Sequence, residues 1–552
     1  MSNSLGRLDQ QLVWDRLLSI VEEQAQTLMR TAFSTVVREA GDLSAGVFNE
    51  EGAMLAQAVT GTPGHVNAMA ASVGRFLEAY PLERLEPGDV LLTNDPWDGT
   101  GHLNDFTVVT PIYHRDRAVA LFASTSHIAD VGGRGFGPDA NDLFEEGLRI
   151  PICHLFRRGE RDEVLMGLIK ANVRDPLTAE GDLHSLTACN EMGGRALKEM
   201  LDDFGLANLE DIGAHIIETS RQAMAREISA LPDGTFEHAM TIDGYREPVT
   251  IAAKLSIDGE RLSVDFSGSS SRSAVGINVP LTYTQAYASF GVRCLVGNEV
   301  PNNAGSLAAV TVTAPEGSIL NAPRPAAVSA RHSVGQMLPD VVLGCLAQVL
   351  PDAVPAEGAS CIWNPVFMSA PATVGGNSVA ENFVSNPIFN GGTGARAGKD
   401  GLSTTAFPSG VRTTSTEINE ATTPLVIWKK EYRIDSGGPG RQRGGLGQTI
   451  EVAHREGAPF VVSKMFDRIE HPARGRFGGS AGAPGAVYLK DGDVLPGKGR
   501  DLVGAGETLV LETPGGGGIG PARERSREAL RGDLAAGLVS EGRLAKDYEL
   551  DG

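Results

Sequence analysis

The stretch Thr93-Asn94-Asp95-Pro96-Trp97-Asp98-Gly99-Thr100-Gly101-His102-Leu103-Asn104-Asp105 runs through Phe106–Ser126 into His127-Ile128-Ala129-Asp130-Val131-Gly132-Gly133. It contains His-x-x-Asp twice, with the two histidines 25 residues apart. Between them, Thr107 to Tyr113 and Ala118 to Ala123 flank a polar turn at Arg115-Asp116, the pattern of an antiparallel hairpin. Asp105 and His127 lie 11 residues on either side of Asp116, so the hairpin is expected to set them side by side, with His102 and Asp130 extending the same edge. Two imidazoles and one or two carboxylates converging from Gly-bordered loops combine neutral nitrogen with hard oxygen, a donor set that suits Zn, Mn or Fe. Asp95, Asp98 and Asp130 stand ready to orient those ligands. His65, in Gly61-Thr62-Pro63-Gly64-His65, could line the same pocket, although a lone loop histidine is more often structural.

Upstream, Leu12, Val13, Leu17, Ile20, Val21 and Leu28 recur at helical spacing within Leu8–Met29, an amphipathic helix. Further helical patterns cover about Asn67–Tyr80, Leu177–Phe204 and Leu209–Leu231, the second of these opening after Asp175-Pro176. From Gly234 the pattern turns to alternation through Phe236–Ile242, Thr250–Ile257 and Leu262–Phe266, with a turn at Asp258-Gly259, the signature of a β-meander. Helices are expected again at Tyr283–Val296 and Val334–Leu350, more strands up to Leu511, and a charged helical tail over Ala522–Leu550. Glycine, 68 of 552 residues, is concentrated late and favours turns and close backbone approach. The chain reads as α+β: a large mixed helix and sheet assembly divided softly near Asp233 into a region 1–233 that bears the metal site and a Gly-rich, β-rich region 234–552.

The length gives ample material for a buried core, and 41% apolar and 21% charged residues are globular proportions. A net charge of −21 opposes contact with phosphate backbones, so nucleic acid is not an expected partner. No apolar run is long enough to span a bilayer, and the opening Met1-Ser2-Asn3-Ser4 is polar; the chain reads as cytoplasmic and free of the membrane. Cys153, Cys189, Cys294, Cys345 and Cys361 contain no Cys-x-x-Cys pair and read as fillers of a reduced interior. Gly398-Lys399-Asp400 fails the phosphate-loop pattern, a serine-hydrolase elbow is not expected, and Gly515–Gly520 leaves too little chain after it to build a nucleotide-binding sheet.

Taken in order, these residues resemble the hydantoinase B/oxoprolinase family, which includes B subunits of ATP-dependent N-methylhydantoinases and lactamases, the second half of eukaryotic 5-oxoprolinase and the alpha subunits of acetone carboxylases. The resemblance runs nearly end to end. It is carried by Gly41-Asp42-Leu43-Ser44 with Glu51-Gly52, Thr93-Asn94-Asp95-Pro96, the two histidine motifs, Glu146-Gly147-Leu148-Arg149-Ile150-Pro151, Asp265-Phe266-Ser267-Gly268, Pro301-Asn302-Asn303-Ala304-Gly305, Gly398-Lys399-Asp400-Gly401, Asp435-Ser436-Gly437-Gly438-Pro439-Gly440 and Thr513-Pro514 with its glycines. What the resemblance implies is a divalent metal on Asp42, His102, Asp105 and His127, where the approach Arg38-Glu39-Ala40-Gly41 departs from the more charged one of relatives.

It also implies a hetero-oligomer in which a larger A-type subunit uses ATP to phosphorylate a carbonyl oxygen. This B-type chain then completes hydrolysis of a cyclic amide. Phosphorylation removes amide resonance and supplies a leaving group, after which metal-activated water attacks the same carbon. Asp130 or Glu146 is a candidate general base. In the carboxylase branch the phosphorylated species is instead an enol captured by carbon dioxide, and a third possibility is a metal-stabilised scaffold that only supports its partner. The length fits the hydrolase subunit.

Overall fold

The computed structural model describes residues 6–370 and 383–548; the polar opening Met1–Ser4 and the end of the tail at Leu550 lie outside them. The first region is organised by one seven-stranded sheet. Its strands are β1 (Leu43–Phe48), β2 (Met54–Gln57), β3 (Val90–Thr93), β4 (Asp105–His114), β5 (Arg117–His127), β6 (Cys153–Arg157) and β7 (Glu160–Arg161), in the spatial order β2-β1-β5-β4-β3-β6-β7. All its consecutive neighbours pair antiparallel.

Burial explains the composition of the central hairpin. Nearly every residue of β4 and β5 is buried on both sides, so the strands read as apolar and small residues with little alternation. The long helices Arg7–Thr31 and Pro176–Asp203 pack on one another and on this sheet, and Gly193 and Gly194 let the second helix approach closely: a Cβ there would fall 2.4 Å from Phe122 and Ile112. Gln24 and Asn190, buried between them, bond each other at 2.8 Å and then take the sheet carbonyls of Ala123, Val108 and Phe122.

The β-meander forms as read, with β8 (Gly234–Ile242), β9 (Val249–Asp258) and β10 (Arg261–Asp265) antiparallel in turn. Strand β11 (Val310–Thr313) closes that sheet by pairing parallel to β10. Two further four-stranded sheets follow, one containing β12 (Val366–Ser369) and β13 (Val384–Ser385). Two helical readings need correction. Val334–Leu350 is two pieces, His332–Gly335 and Leu338–Leu346, the second starting where Pro339 occupies a first-turn position that needs no N–H. The tail is also interrupted, as Arg527–Ala535 and Glu541–Tyr548, with Gly537 at φ +67° between them. Position 233 falls between the helix Glu210–Ser229 and β8, and the largest apolar core takes Phe136, Met224 and Ile228 from one side of it together with side chains from β8 to Leu511.

Candidate metal centre

The hairpin register pairs Asp105 with His127, Thr107 with Thr125 and Val109 with Ala123, so the first and last residues of the hairpin meet at one sheet edge. On the other flank of β5, Leu43 pairs with Ser126, which brings Asp42 alongside; the His127 N–H donates to the Asp42 carbonyl at 3.3 Å. Three of the four expected ligands converge closely: one donor atom from each of His102, Asp105 and His127 lies within 4.8 Å of the others, and all three residues are buried. Asp42 lines the same cavity a step farther out.

The hydrogen bonding shows what these donors lack. His102 Nδ1 lies 2.9 Å from the Ser329 carbonyl, which only accepts, so Nδ1 carries the hydrogen. His102 Nε2 then faces Asp105 Oδ1 at 2.7 Å. Burial, aided by Arg331, pushes the His102 ring down to about 3. Burial alone would raise Asp105, but the His102 and His65 rings and the Arg331 guanidinium outweigh it and hold the carboxyl well below the usual range. His102 Nε2 and Asp105 Oδ1 thus face each other at one point, where a proton or a metal cation satisfies both. His127 Nε2 is buried with no partner among the described residues, whereas buried polar groups are nearly always satisfied. The donor set fits a divalent metal.

The second carboxylate oxygen is held separately. Asp105 Oδ2 accepts from Thr100 Oγ1 at 2.9 Å, from His65 Nε2 at 2.9 Å and from Arg331 Nη2 at 2.5 Å. Arg331 also donates to the Thr100 carbonyl and lies 4.0 Å over the Tyr283 ring. Gly101, at φ +106°, leaves room for it: a Cβ there would fall 2.6 Å from Arg331 Nε. His65 is thus part of the site, placed between Asp105 and Asp42, whose Oδ1 is 3.5 Å from His65 Nδ1; burial opposes its charged form, but the two carboxylates prevail and raise its pKa.

The two candidate bases are placed differently. Asp130 accepts from the Arg174 N–H, its guanidinium and the Gly132 N–H. Glu146, in the short helix Leu143–Glu146, accepts through Oε1 from the N–H groups of Val328 and Ser329, while Oε2 is buried without a partner among the described residues. Burial lifts its carboxyl to about 8. It reaches the metal ligands only through Ser329, whose carbonyl orients His102. Asp95 and Asp98 hold Arg324.

Arg331 and His332 were not singled out in the sequence. They sit in Ser329-Ala330-Arg331-His332, more than 200 residues from the hairpin, and a lone basic pair carries no spacing signal. One Gly-x-Ser-x-Gly spacing does occur, at Gly478–Gly482, contrary to the expectation of none. Its Ser480 is exposed in irregular backbone, without the strand-to-helix turn that a nucleophile elbow requires.

This fold and site define a protein of hydantoinase B type, and the comparisons with known proteins agree. The family model for hydantoinase B/oxoprolinase matches residues 7–522, and the chain belongs to that family. It is 31% identical to 5-oxoprolinase 1 of Arabidopsis thaliana over 92% of this chain, which spans only 41% of that longer protein. It is 26% identical to a putative D-/L-hydantoinase B-type chain of a Pseudomonas species, covering 98% of this chain and 94% of the relative. Among solved structures, ATP-dependent caprolactamase from Pseudomonas jessenii superposes with a TM-score of 0.89 at 23% identity, over 100% of this chain and 97% of that one. Nucleotide-free acetone carboxylase superposes with a TM-score of 0.86 at 18% identity, over 98% and 79%. Those two likenesses establish the shared fold. Among the described residues no helix is long and apolar enough to cross a membrane.

Proposed function

We propose that this chain is the B-type subunit of an ATP-dependent cyclic-amide hydrolase, opening a lactam that an A-type partner has phosphorylated. The observation that carries this reading is the buried convergence of His102, Asp105 and His127, with His127 Nε2 left without a partner, in a family whose members include oxoprolinases and hydantoinases. Those three residues, with Asp42 beside them, would hold a divalent Zn, Mn or Fe ion. That ion would supply Lewis acidity toward the acyl group and its attacking water.

The chain's own residues prepare the centre. Ser329 fixes the His102 tautomer, and Arg331, Thr100 and His65 occupy Asp105 Oδ2 so that Oδ1 is the oxygen turned to the two imidazoles. Glu146, protonated at neutral pH because burial raises it to about 8, pins the Val328–Ser329 backbone and acts as a positioning residue. Asp130 serves the same purpose through Arg174. Burial of nearly every residue at the sheet edge keeps bulk water from a phosphorylated intermediate. The phosphorylation itself is assigned to the A-type partner, since Gly398-Lys399-Asp400 fails the phosphate-loop pattern and the Gly515–Gly520 run has too little chain after it to build a nucleotide-binding sheet.

The test uses the complex of both subunits with ATP and a five- or six-membered cyclic amide, following ADP and ring-opened product separately and metal content by elemental analysis. His127→Ala is expected to lose metal and ring opening while ADP formation continues. Equal loss of ADP formation and ring opening in an assembled complex would overturn the division of labour. Carboxylated ketone from the wild type would favour the carboxylase reading instead.

A further inference from the structure

The cavity that holds the metal ligands has a second wall, contributed by a different part of the chain. Besides Asp42, His65, His102, His127 and Arg331, the cavity is lined by His332, Gln336, Asn364 and Asn386 and by the apolar Ile362, Ile388 and Val411, with the Phe136 ring packed on His102, His127 and His332. Among the described residues, the second wall contains no carboxylate and no permanent cation. It is built from uncharged hydrogen-bonding groups, a composition suited to reading a neutral polar group and not to holding a metal.

Three of its four polar residues are set in place by local structure. Gln336 Oε1 is committed to the Ile362 N–H at 3.1 Å. His332 Nε2 lies 3.1 Å from Asn364 Oδ1; the ring donates there, and burial together with Arg331 keeps it neutral. Asn364 and Asn386 flank one hairpin, Asn364 just before β12 and Asn386 just after β13. The strands pair Phe367 with Ser385 and Met368 with Val384, and a bridge joins Trp363 to Phe389. The two carboxamides are therefore neighbours across the hairpin, both lining the cavity. Asn386 is 7% exposed, and its Oδ1 is buried with no hydrogen-bond partner among the described residues. An acceptor left so costs stability unless something fills it.

We infer that this wall is a recognition subsite for the N–H edge of a secondary cyclic amide, with Asn386 Oδ1 accepting the ring N–H, which stays on nitrogen when the carbonyl oxygen takes the phosphoryl group and leaves the ring a protonated imidate. The inference rests on the cyclic-amide reading above and deepens it. A lactam holds its N–H and C=O on one edge in the cis arrangement, so a ring whose carbonyl faces the His/Asp wall presents its N–H beside that carbonyl. Ketones and lactones carry no such hydrogen and leave Asn386 unpaired. Sites that hydrogen-bond a substrate group reject analogues lacking it far more strongly than apolar pockets reject a missing methylene. The free space between the walls is about 30 Å³, of the order of one water molecule, so the reacting edge enters only as the walls move apart. The body of the ring must part the apolar rim at Ile362, Ile388 and Val411.

The experiment compares a secondary lactam, 2-pyrrolidinone or a ring-substituted form, with its N-methyl counterpart in the two-subunit complex, using the wild type and Asn386→Leu. The wild type is expected to prefer the N–H lactam by roughly 10–100-fold in kcat/KM. Asn386→Leu should lose that preference, chiefly through the N–H substrate, while retaining the metal content of the wild type. Because both changes remove one contact, their effects should not add. Equal wild-type turnover of the two lactams overturns the subsite, as does Asn386→Leu that keeps the full preference; in either case the hydrolase reading stands, because lactam is still opened. A wild-type complex that opens no lactam overturns the hydrolase reading itself and the subsite with it.

Discussion

Arg331 is the residue on which the geometry of Asp105 depends. It is 2% exposed, bonds Asp105 Oδ2 and the Thr100 carbonyl, and is stacked on Tyr283. Groups that orient metal ligands typically alter affinity by about 10–100-fold when removed. Arg331→Met is accordingly expected to weaken metal binding by about that factor, measured by competition with a chelator, and Arg331→Lys to recover only part of it because an ammonium cannot reproduce the planar fork. Glu146 makes a prediction about pH. Its folded pKa of about 8 lies above the ordinary 4.5, so the folded chain binds the extra proton between those values. The stability it contributes is complete below about pH 4.5 and is lost as pH rises toward 8. Glu146→Gln, which keeps an acceptor for Val328 and Ser329, should flatten that part of the stability-versus-pH curve in denaturant titrations. An unchanged slope would show that Glu146 does not carry the linkage.

The elements explain how separate side chains are held to one another. β1, β5 and β4 are adjacent in the sheet; Asp42 immediately precedes β1, His127 ends β5 and Asp105 begins β4, so three of the four expected ligands gather at one end of these strands, with His102 in the loop before β4. His65 arrives on the helix Pro63–Ala79, which packs against the helix Leu281–Arg293. Gly64 makes that packing possible: an added Cβ would meet the ring of Tyr287 at 2.5 Å and that of Tyr283 at 2.8 Å. Gly64→Ala is expected to destabilise the protein by about 1–3 kcal/mol, as overpacking does, and to lower metal content by displacing His65. Gly74, on the same helix, has nothing within 4 Å of its would-be Cβ; Gly74→Ala should instead be neutral or raise the melting temperature, by up to about 1 kcal/mol of helix propensity. Thermal unfolding of the two variants side by side separates a packing effect from a general intolerance of alanine in this helix.

Across the whole molecule, the site is a seam. One wall comes from residues 42–127 with Arg331 and the other from 332–386, and the Ser329 carbonyl and the Arg331 guanidinium tie them together. The apolar core likewise runs across position 233. A metal centre assembled this way couples its ligand geometry to the packing of both regions, so a substitution far along the chain can disturb the histidines of the hairpin. Asn364 and Asn386 lie beside the β12–β13 hairpin, distinct from the seven-stranded sheet that carries Asp105 and His127.

What could be read directly from the residues was whatever depends on short range. Hairpin symmetry predicted the Asp105–His127 pairing that the register shows, because an antiparallel ladder makes position along the strand equivalent to position across it; the turn itself pairs His114 with Arg117, and an irregularity between Ile112 and Tyr113, not visible in the sequence, supplies the one-residue shift that sets Asp105 opposite His127. Helical periodicity located Arg7–Thr31 and Pro176–Asp203 for the same reason: 3.6-residue spacing is a local property. The helix break at Gln336-Met337, just before Pro339, was missed because apolar spacing continues through it. Arg331, His332, Asn364 and Asn386 could not be read at all, since nothing near them in the chain marks them. Their roles arise from burial against a sheet more than 200 residues away, and burial turns ordinary polar side chains into a constrained site because each must then find a partner or remain unpaired. Tertiary packing alone makes that choice.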